Sequence, residues 1–146
     1  MSIRPDCKFC QVAAKSLSSF VVFEDDLSLA FLDYRPLFPG HTLLIPKQHY
    51  ETLLDLPASV TGAFFNNVQL LSRAVEQSME AEGSFVAINN RVSQSVPHLH
   101  VHIVPRRKKD GLRGFFWPRG KYEDEEQMKK VQEAMRRALV GPRSPA

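Results

Sequence analysis

The chain has 146 residues, of which 43% are hydrophobic, and its net charge is +3 when its five histidines are neutral. This size and composition predict a single globular domain over residues 1–146, and so mild a charge without aromatic platforms gives no reason to expect a nucleic-acid partner. No apolar run approaches the roughly 18 residues that span a bilayer, and the opening segment MSIRPDCKFC has no apolar signal core. We therefore expect a cytoplasmic protein that does not enter a membrane.

Near the N-terminus, Cys7 and Cys10 have the spacing CxxC. A redox pair normally follows a strand in a βαβ unit, and so close to the N-terminus there is no room for one. A disulfide framework needs more cysteines and an oxidising compartment. Metal binding needs two further ligands, which histidines later in the chain could supply. By itself the CxxC pair is weak evidence for any of these three interpretations.

Residues 20–46 predict a hairpin followed by a third strand. Alternating apolar residues indicate the strands, Asp25 and Asp26 supply turn chemistry, and a loop rich in proline and glycine precedes the third strand. Pro46 closes that strand, and His49 follows shortly after it. The predicted strands cover residues 21–23, 29–33 and 41–46.

A long helix is predicted over residues 57–82, because apolar residues recur at intervals of three to four and Pro57 suits a first helical turn. We assign this stripe to the core, and we expect Gly83 to end the helix. A fourth strand is predicted over residues 85–89. The residues of the stripe are Phe64, Val68, Leu71 and Val75.

The C-terminal part begins with a basic segment, residues 106–121, which holds seven Lys or Arg residues against one Asp. Such a segment fits either a patch for phosphate groups or a solvated arm. A last helix is predicted over residues 122–139, with acidic residues at its start and Arg136 and Arg137 at its end. Its apolar stripe consists of Met128, Val131, Met135 and Leu139.

The segment HLHVHIVP, residues 98–105, carries three of the five histidines. Histidine alternates there with Leu99, Val101 and Ile103, and this period of two predicts a strand whose apolar side faces the core and whose imidazoles share the other side. The competing interpretation is a solvent-facing strand that carries histidine by chance. Imidazole is a reactive group near neutral pH, which favours a functional role. We expect Pro105 to end the strand.

Strands and grouped helices of this kind predict an α+β domain. The sequence HLHVHIV resembles the signature of the histidine-triad (HIT) family, and the similarity continues upstream through residues 20–49. It covers about residues 5–106 and leaves a basic loop and a C-terminal helix in residues 107–146. The resemblance implies a HIT-like fold, which is an antiparallel five-stranded sheet with one long helix, and a homodimer in which two sheets join.

The same resemblance implies roles for individual residues. His100 would attack the α-phosphate of a nucleotide as the nucleophile, and His102 would bind the phosphate or help the leaving group. Ser95 would contact the phosphate or leaving group. His41 would support this network, although a buried, hydrogen-bonded histidine without a catalytic part fits it as well. Asp33 would hold the ribose hydroxyls, and its alternative interpretation is a turn residue at a strand end.

Further residues are expected to bind substrate through the resemblance. An apolar wall around the base would be formed by Phe9, Phe31 and Leu43, any of which could equally be plain core. Asn89 would contact the phosphate, although the adjacent Asn90 fits the same position and leaves the register open. Gln94 is a further candidate substrate contact, in the segment before the histidines. Trp117 would reach the active site of the partner subunit, or would pack against the last helix.

A structural zinc site is also implied by the resemblance. Its ligands would be Cys7, Cys10, His49 and His98, and two thiolates with two imidazoles form a closed tetrahedral site. The alternative is a pair of free thiols, with His98 orienting its neighbour. A catalytic zinc would need an open position for water, and this set leaves none.

The expected function is therefore hydrolysis or nucleotidyl transfer at the α-phosphate of a purine nucleotide conjugate, either a nucleoside phosphoramidate or an acyl-nucleotide, through a nucleotidyl-histidine intermediate. One alternative is a hydrolase of dinucleoside polyphosphates. Another is a nucleotide-binding sensor with little turnover.

Overall fold

The computed structural model of the protein describes residues 3–112 and 119–140. The chain divides into two compact units, Met1–Lys108 and Lys109–Ala146. No helix within the described ranges combines the length and the apolar character needed to cross a bilayer. The first unit contains every predicted site residue except Trp117, which lies outside the described residues.

The first unit is built on an antiparallel sheet of five strands in the order β1-β2-β3-β5-β4. This confirms the fold predicted from the sequence. In chain order the elements are α1 (Lys8–Ala13), β1 (Val21–Glu24), β2 (Ser28–Leu32), β3 (Thr42–Pro46), a 3-10 turn (Leu53–Asp55), α2 (Ala58–Ser78), β4 (Gly83–Ala87) and β5 (Val101–Arg106).

Apolar side chains cover both faces of the sheet. On one face the predicted stripe of α2 is buried against residues of β2, β3 and β5 and against Leu99, which confirms its assignment to the core. On the other face a smaller cluster joins the residues of α1 to those of β2 and β3. Because side chains alternate along a strand, neighbouring residues such as Leu43 and Leu44 belong to different clusters. The smaller cluster consists of Val12, Leu29, Phe31, Leu43 and Ile45.

The turn between β1 and β2 depends on Asp25, as its sequence chemistry predicts. Its Oδ1 atom accepts hydrogen bonds from the backbone N–H groups of Leu27 and Ser28, at 2.9 and 2.7 Å. Its Oδ2 atom accepts from Nδ2 of Asn67 in α2 at 2.7 Å. One carboxylate therefore closes the hairpin and ties it to the long helix.

The long helix ends earlier than predicted. It stops at Ser78, and Glu80 adopts a φ of +51° while the Ala81 N–H donates to the Glu76 carbonyl at 2.9 Å. A non-glycine residue thus makes the left-handed turn for which glycine was expected. Gly83 instead begins β4, which covers Gly83–Ala87 rather than residues 85–89.

The histidine strand also has different limits. β5 begins at Val101, so that His98 and His100 precede the ladder, and the Leu99 N–H donates to the Tyr50 carbonyl at 2.6 Å. β5 continues through Pro105 to Arg106 and does not end at the proline. Pro105 lies beyond Ile103, the last residue of β5 that pairs with β3, so its missing N–H removes no bond to that strand.

In the second unit the helix α3 covers Glu125–Leu139 and starts three residues later than predicted. Asp124 caps it, accepting from the Gln127 N–H at 2.7 Å. Glu125 and Glu126 lie in its first turn and Arg136 and Arg137 in its last, which is the charge order that stabilises a helix dipole.

Candidate functional site

The three histidines of residues 98–102 lie on the face of the sheet opposite Leu99, Val101 and Ile103, which pack against α2. The rings of His100 and His102 have their centroids 4.9 Å apart. The ring of Phe9 in α1 contacts His98 and His100 edge to face, with centroids 6.0 and 5.1 Å away. The predicted alternation therefore holds even where the backbone has not yet joined the ladder.

The backbone fixes which nitrogen of His100 carries the proton. Nδ1 of His100 lies 2.8 Å from the carbonyl oxygen of His98, and a carbonyl can only accept, so Nδ1 donates. The Nε2 atom consequently keeps its lone pair. Burial lowers the pKa of His100, against smaller raising effects from that hydrogen bond and from Asp33. The ring is therefore neutral near pH 7 and can act as a nucleophile.

A chain of hydrogen bonds fixes the proton on His102 as well. The Leu37 N–H donates to Nδ1 of His41 at 3.1 Å, so the neutral His41 ring carries its proton on Nε2. That Nε2 atom lies 3.0 Å from Nδ1 of His102 and donates to it. His102 must then carry its own proton on Nε2, and burial, with smaller effects from the neighbouring rings, lowers its pKa to about 4. His102 is thus a neutral N–H donor.

These two rings open into a cleft of about 410 Å³, a volume in the usual range for small-molecule sites. His100 and His102 line it together with Ser95 and Asp33. Asp33 uses Oδ1 to accept from the Arg35 N–H at 2.9 Å, and its Oδ2 lies 3.7 Å from Nε2 of His41. The predicted apolar wall also lines this cleft: Phe9, Phe31 and Leu43.

Two predicted substrate residues have other roles in the structure. Gln94 donates from Nε2 to the Glu51 carbonyl at 2.5 Å and accepts from the Arg91 N–H at 2.8 Å. Asn89 donates from Nδ2 to the Ser93 carbonyl at 3.3 Å. Both amides thus hold the loop before the histidine segment, and neither lines the cleft. Their contact with substrate stays a prediction.

Four further residues line the cleft that the sequence reasoning did not select: Lys8, Tyr34, Arg35 and Val96. Lys8 is one of the two residues between Cys7 and Cys10, and no motif in the sequence marks it as a site residue. Tyr34 and Arg35 follow Asp33 in the chain. The positive charge of Arg35, in a loop next to the residue proposed to bind ribose, is a sequence feature that could have indicated a phosphate contact.

A second cluster lies beside the cleft, and it consists of Cys7, Cys10, His49 and His98. Their ligand atoms all lie within 4.8 Å of one another. The sulfur of Cys10 is 3.3 Å from Nδ1 of His49 and 3.6 Å from Nδ1 of His98, and the sulfur of Cys7 is 3.5 Å from the latter. Zinc with ordinary bond lengths in a tetrahedron sets sulfur and nitrogen about 3.6 Å apart, so the spacing fits.

The surroundings of this cluster also favour a metal ion. Nε2 of His98 lies 2.8 Å from the Pro46 carbonyl and donates to it, which leaves the Nδ1 lone pair directed at the sulfurs. Cys10 accepts from the Arg4 N–H at 3.3 Å, and Cys7 accepts from the Cys10 N–H at 3.5 Å. Burial raises the pKa of the Cys10 thiol, and the hydrogen bond from the Arg4 N–H acts in the opposite direction with a smaller effect. Four ligands without a fifth position describe a structural site.

A third group, Asp33, His41 and His102, is also compact. Here Nε2 of His41 and Nδ1 of His102 share a hydrogen bond of 3.0 Å. The nitrogens are directed at each other and not at a common ion, so we assign this group to proton positioning.

Comparison with known proteins places these features in a family. The model of the HIT domain matches residues 14–109. An uncharacterized HIT-like protein from Borreliella burgdorferi is 40% identical over 111 residues, which are 73% of this chain and 80% of that protein. The adenylylsulfatase HINT3 of Arabidopsis thaliana is 36% identical over 113 residues, or 76% of this chain, and the match spans only 57% of that longer protein. The asymmetrical bis(5'-nucleosyl)-tetraphosphatase of Schizosaccharomyces pombe is 38% identical over 96 residues, 64% of this chain and 53% of that protein.

Solved structures give the same result. A member of the HIT family from Bacillus subtilis superposes with a TM-score of 0.80 at 32% identity, covering 94% of this chain and 99% of that one. A zinc-bound histidine triad family protein from Mycobacterium smegmatis superposes with a TM-score of 0.69 at 32% identity, covering 92% of this chain and 96% of that one.

Proposed function

Because the chain belongs to the HIT domain family, we propose that it is a hydrolase or nucleotidyl transferase that cleaves nucleotide conjugates at the α-phosphate. The observation that carries the proposal is the hydrogen bond of 2.8 Å from Nδ1 of His100 to the His98 carbonyl. It leaves the lone pair of Nε2 on a neutral ring that lines the cleft. A positioned, neutral imidazole is a nucleophile for phosphorus near pH 7.

In the proposed reaction, Nε2 of His100 attacks the α-phosphorus and the bond from phosphorus to the leaving group breaks. The N–H of His102 donates to the leaving group or to a phosphoryl oxygen, and His41 keeps that proton on Nε2. Ser95 lies at the same cleft and contacts the phosphate or the leaving group. Water then cleaves the P–N bond of the nucleotidyl-His100 intermediate, which releases a nucleoside monophosphate.

The nucleoside would lie along the opposite wall of the cleft. We assign the ribose hydroxyls to the Asp33 carboxylate, whose Oδ2 atom is not used by the Arg35 N–H. The purine base would pack among Phe9, Phe31 and Leu43. The rings of Phe9 and Phe31 meet edge to face, with their centroids 5.4 Å apart. Apolar walls with a few convergent polar groups are typical of such sites.

We further propose that Cys7, Cys10, His49 and His98 hold a structural zinc ion, which would supply a fixed cross-link between α1 and the histidine segment. The Mycobacterium smegmatis relative was solved with zinc bound, which supports this assignment. A cytoplasmic homodimer is part of the same proposal.

Two other functions are possible for this site. The Schizosaccharomyces pombe relative is named as a bis(5'-nucleosyl)-tetraphosphatase, and this favours dinucleoside polyphosphate hydrolysis as the second candidate. A nucleotide sensor with little turnover would use the same cleft. It would not need the proton arrangement of His100 and His102, since binding alone requires no nucleophile.

The deciding experiment compares turnover of adenosine phosphoramidate with that of a diadenosine polyphosphate, and traps the intermediate with a substrate whose second step is slow. We expect a nucleotidyl group on His100 by mass spectrometry and faster turnover of the phosphoramidate. Tight nucleotide binding without any adduct would instead favour the sensor.

A further inference from the structure

The helix α3 exposes its apolar stripe. The stripe runs along one side of the helix, and its members are between 38% and 75% exposed: Met128, Val131, Met135 and Leu139. Together with Tyr122 and polar neighbours, these side chains line a groove of about 580 Å³. No residue of α3 is buried within the described part of the chain. Exposed apolar patches that are rimmed by polar residues mark surfaces that contact a partner.

The length of α3 also indicates that it needs a partner. Its 15 residues extend over about 22 Å, and an isolated helix of this length is only marginally stable in water. Ion pairs along its surface join Glu125 to Lys129 at 3.1 Å and Glu133 to Arg136 at 3.9 Å. Such exposed pairs add little stability. Packing of the apolar stripe should therefore supply most of the stability of the helix.

The charges of α3 indicate what covers the stripe. Asp124 caps one end of the helix, and Glu125 and Glu126 form its first turn, whereas Arg136 and Arg137 lie in its last turn. A second copy of α3 running in the opposite direction would place its basic end beside this acidic end. A copy running in the same direction would place like charges at equal heights. The helix dipoles favour the antiparallel arrangement as well.

One pair of charged residues agrees with a particular register of this contact. Glu125 and Arg136 are 11 residues apart, which is close to three full helical turns, so both lie on the same flank of the stripe. Both line the groove. In an antiparallel pair that sets Met128 against Met135 of the partner subunit, Glu125 lies beside Arg136 of the partner subunit. Two-fold symmetry forms each of these contacts twice.

We propose that α3 is a dimerisation surface, on which the α3 helix of a second copy of this chain packs in the antiparallel direction. The contact covers the apolar stripe of each copy and joins the acidic end of one helix to the basic end of the other. Methionine suits such a surface because its flexible side chain fills irregular gaps. This contact is separate from the joining of two sheets that the family resemblance implies, and it does not depend on the reaction at His100.

The first test is cysteine cross-linking in the full-length chain. Met128→Cys and Met135→Cys proteins are mixed, left to exchange subunits and treated with a mild oxidant, and linked peptides are identified by mass spectrometry. We expect a disulfide that joins position 128 of one chain to position 135 of the other. Neither variant alone should form a link through α3, because equal positions lie about 10 Å apart along the axis of an antiparallel pair.

A matched control is Glu133→Cys, which places the thiol on the polar side of the same helix, outside the groove. Mixed with Met135→Cys, it should form no link. Each variant is also compared with the wild type for helix content by circular dichroism and for melting temperature. A link that is specific to positions 128 and 135, in proteins of equal helix content, then reports on the packing of the two helices.

A second test measures the Kd of the dimer by sedimentation equilibrium. Met135→Glu should raise this Kd at least about 100-fold, because each dimer loses two apolar contacts. Glu125→Arg and Arg136→Glu should each raise it about fivefold, and the double variant should return it to the wild-type value. The two residues lie about 16 Å apart along one helix, so such recovery reports on pairs between copies.

The outcomes separate this surface from other ways of forming a dimer. A dimer whose Kd is unchanged in Met135→Glu and which forms no link through α3 would overturn the proposal, even if two sheets join elsewhere. A link between equal positions would overturn the antiparallel direction. A monomeric wild type at all measured concentrations would overturn both this contact and the dimer that the family resemblance implies.

Discussion

The imidazole of His102 is expected to stay neutral far below the pH at which an ordinary histidine gains its proton. Burial, and then the neighbouring rings of His100 and His41, lower the pKa of His102 to about 4, against a smaller raising effect from Asp33. Lowering the pH from 8 to about 5 should therefore leave most of the His102 rings neutral.

The size of the effect follows from these values. With a pKa of about 4, roughly 97% of His102 is neutral at pH 5.5. A histidine with the ordinary pKa of about 6.5 would be only about 9% neutral at that pH. The hydrogen bond from His41 to Nδ1 of His102 requires the neutral ring, so the proton arrangement of the site should persist at pH 5.5.

The same shift affects stability. The pKa of His102 is lower in the folded chain than in the unfolded chain, so the unfolded state binds more protons as the pH falls from about 6.5 to about 4. The free energy of unfolding should decrease across that window. For a fully buried group, a pKa shift of this size would lower the free energy of unfolding by about 3 kcal/mol. The ring of His102 is partly exposed, so we expect a decrease of about 2 kcal/mol.

The assay is an NMR titration of the imidazole nitrogens, with the His102 signals assigned by their loss in His102→Gln and with the urea-unfolded chain as the reference. We expect the Nε2–H form of His102 at neutral pH and no titration above pH 5. A midpoint near 6.5, or a proton on Nδ1 at neutral pH, would refute the hydrogen-bond chain from Leu37 through His41.

Three further outcomes are expected. His100→Ala should abolish turnover, because the ring supplies the nucleophile. The Kd for a nucleotide, measured by calorimetry, should stay within about threefold of the wild-type value, because the ring forms only part of the cleft wall. Turnover at the wild-type rate would contradict the role of His100. His41→Ala should lower kcat about 10- to 100-fold with little change in KM, since His102 loses the donor that fixes its proton, and a change in KM alone would contradict this. Cys10→Ser, or treatment of the wild type with a chelator, should remove the metal and lower the melting temperature by about 10 °C. This is the size expected when a protein loses a ligand whose free concentration is about 1,000 times its Kd. An equal melting temperature with no metal bound would show that the cluster does not depend on a metal.

The sequence predicted those parts of the site that depend on local periodicity. Alternation of apolar residues with histidine put His100 and His102 on one side of the sheet, and it did so although His98 and His100 lie before the strand. Cys7 and Cys10 lie close to His49 in the structure although they are distant from it in the chain. Only the family resemblance indicated this proximity.

Other features could not be predicted because tertiary contacts decide them. Glu80 takes a left-handed conformation that glycine usually fills, and this ends α2 four residues early. The amide of Gln94 donates to the backbone carbonyl of Glu51, a residue 43 positions away, and no local pattern in the sequence indicates this contact. The short helix α1 was missed because its six residues are too few for a helical repeat to be evident.

The spacing of the two thiols has a consequence for how such proteins diversify. Lys8 and Phe9 fill the gap between Cys7 and Cys10, and both form walls of the cavity where the substrate would bind. The proposed metal site would hold this end of the chain in place, so that both side chains would keep fixed positions beside a bound ligand. Substitution of these two residues would change the substrate specificity without moving either sulfur atom.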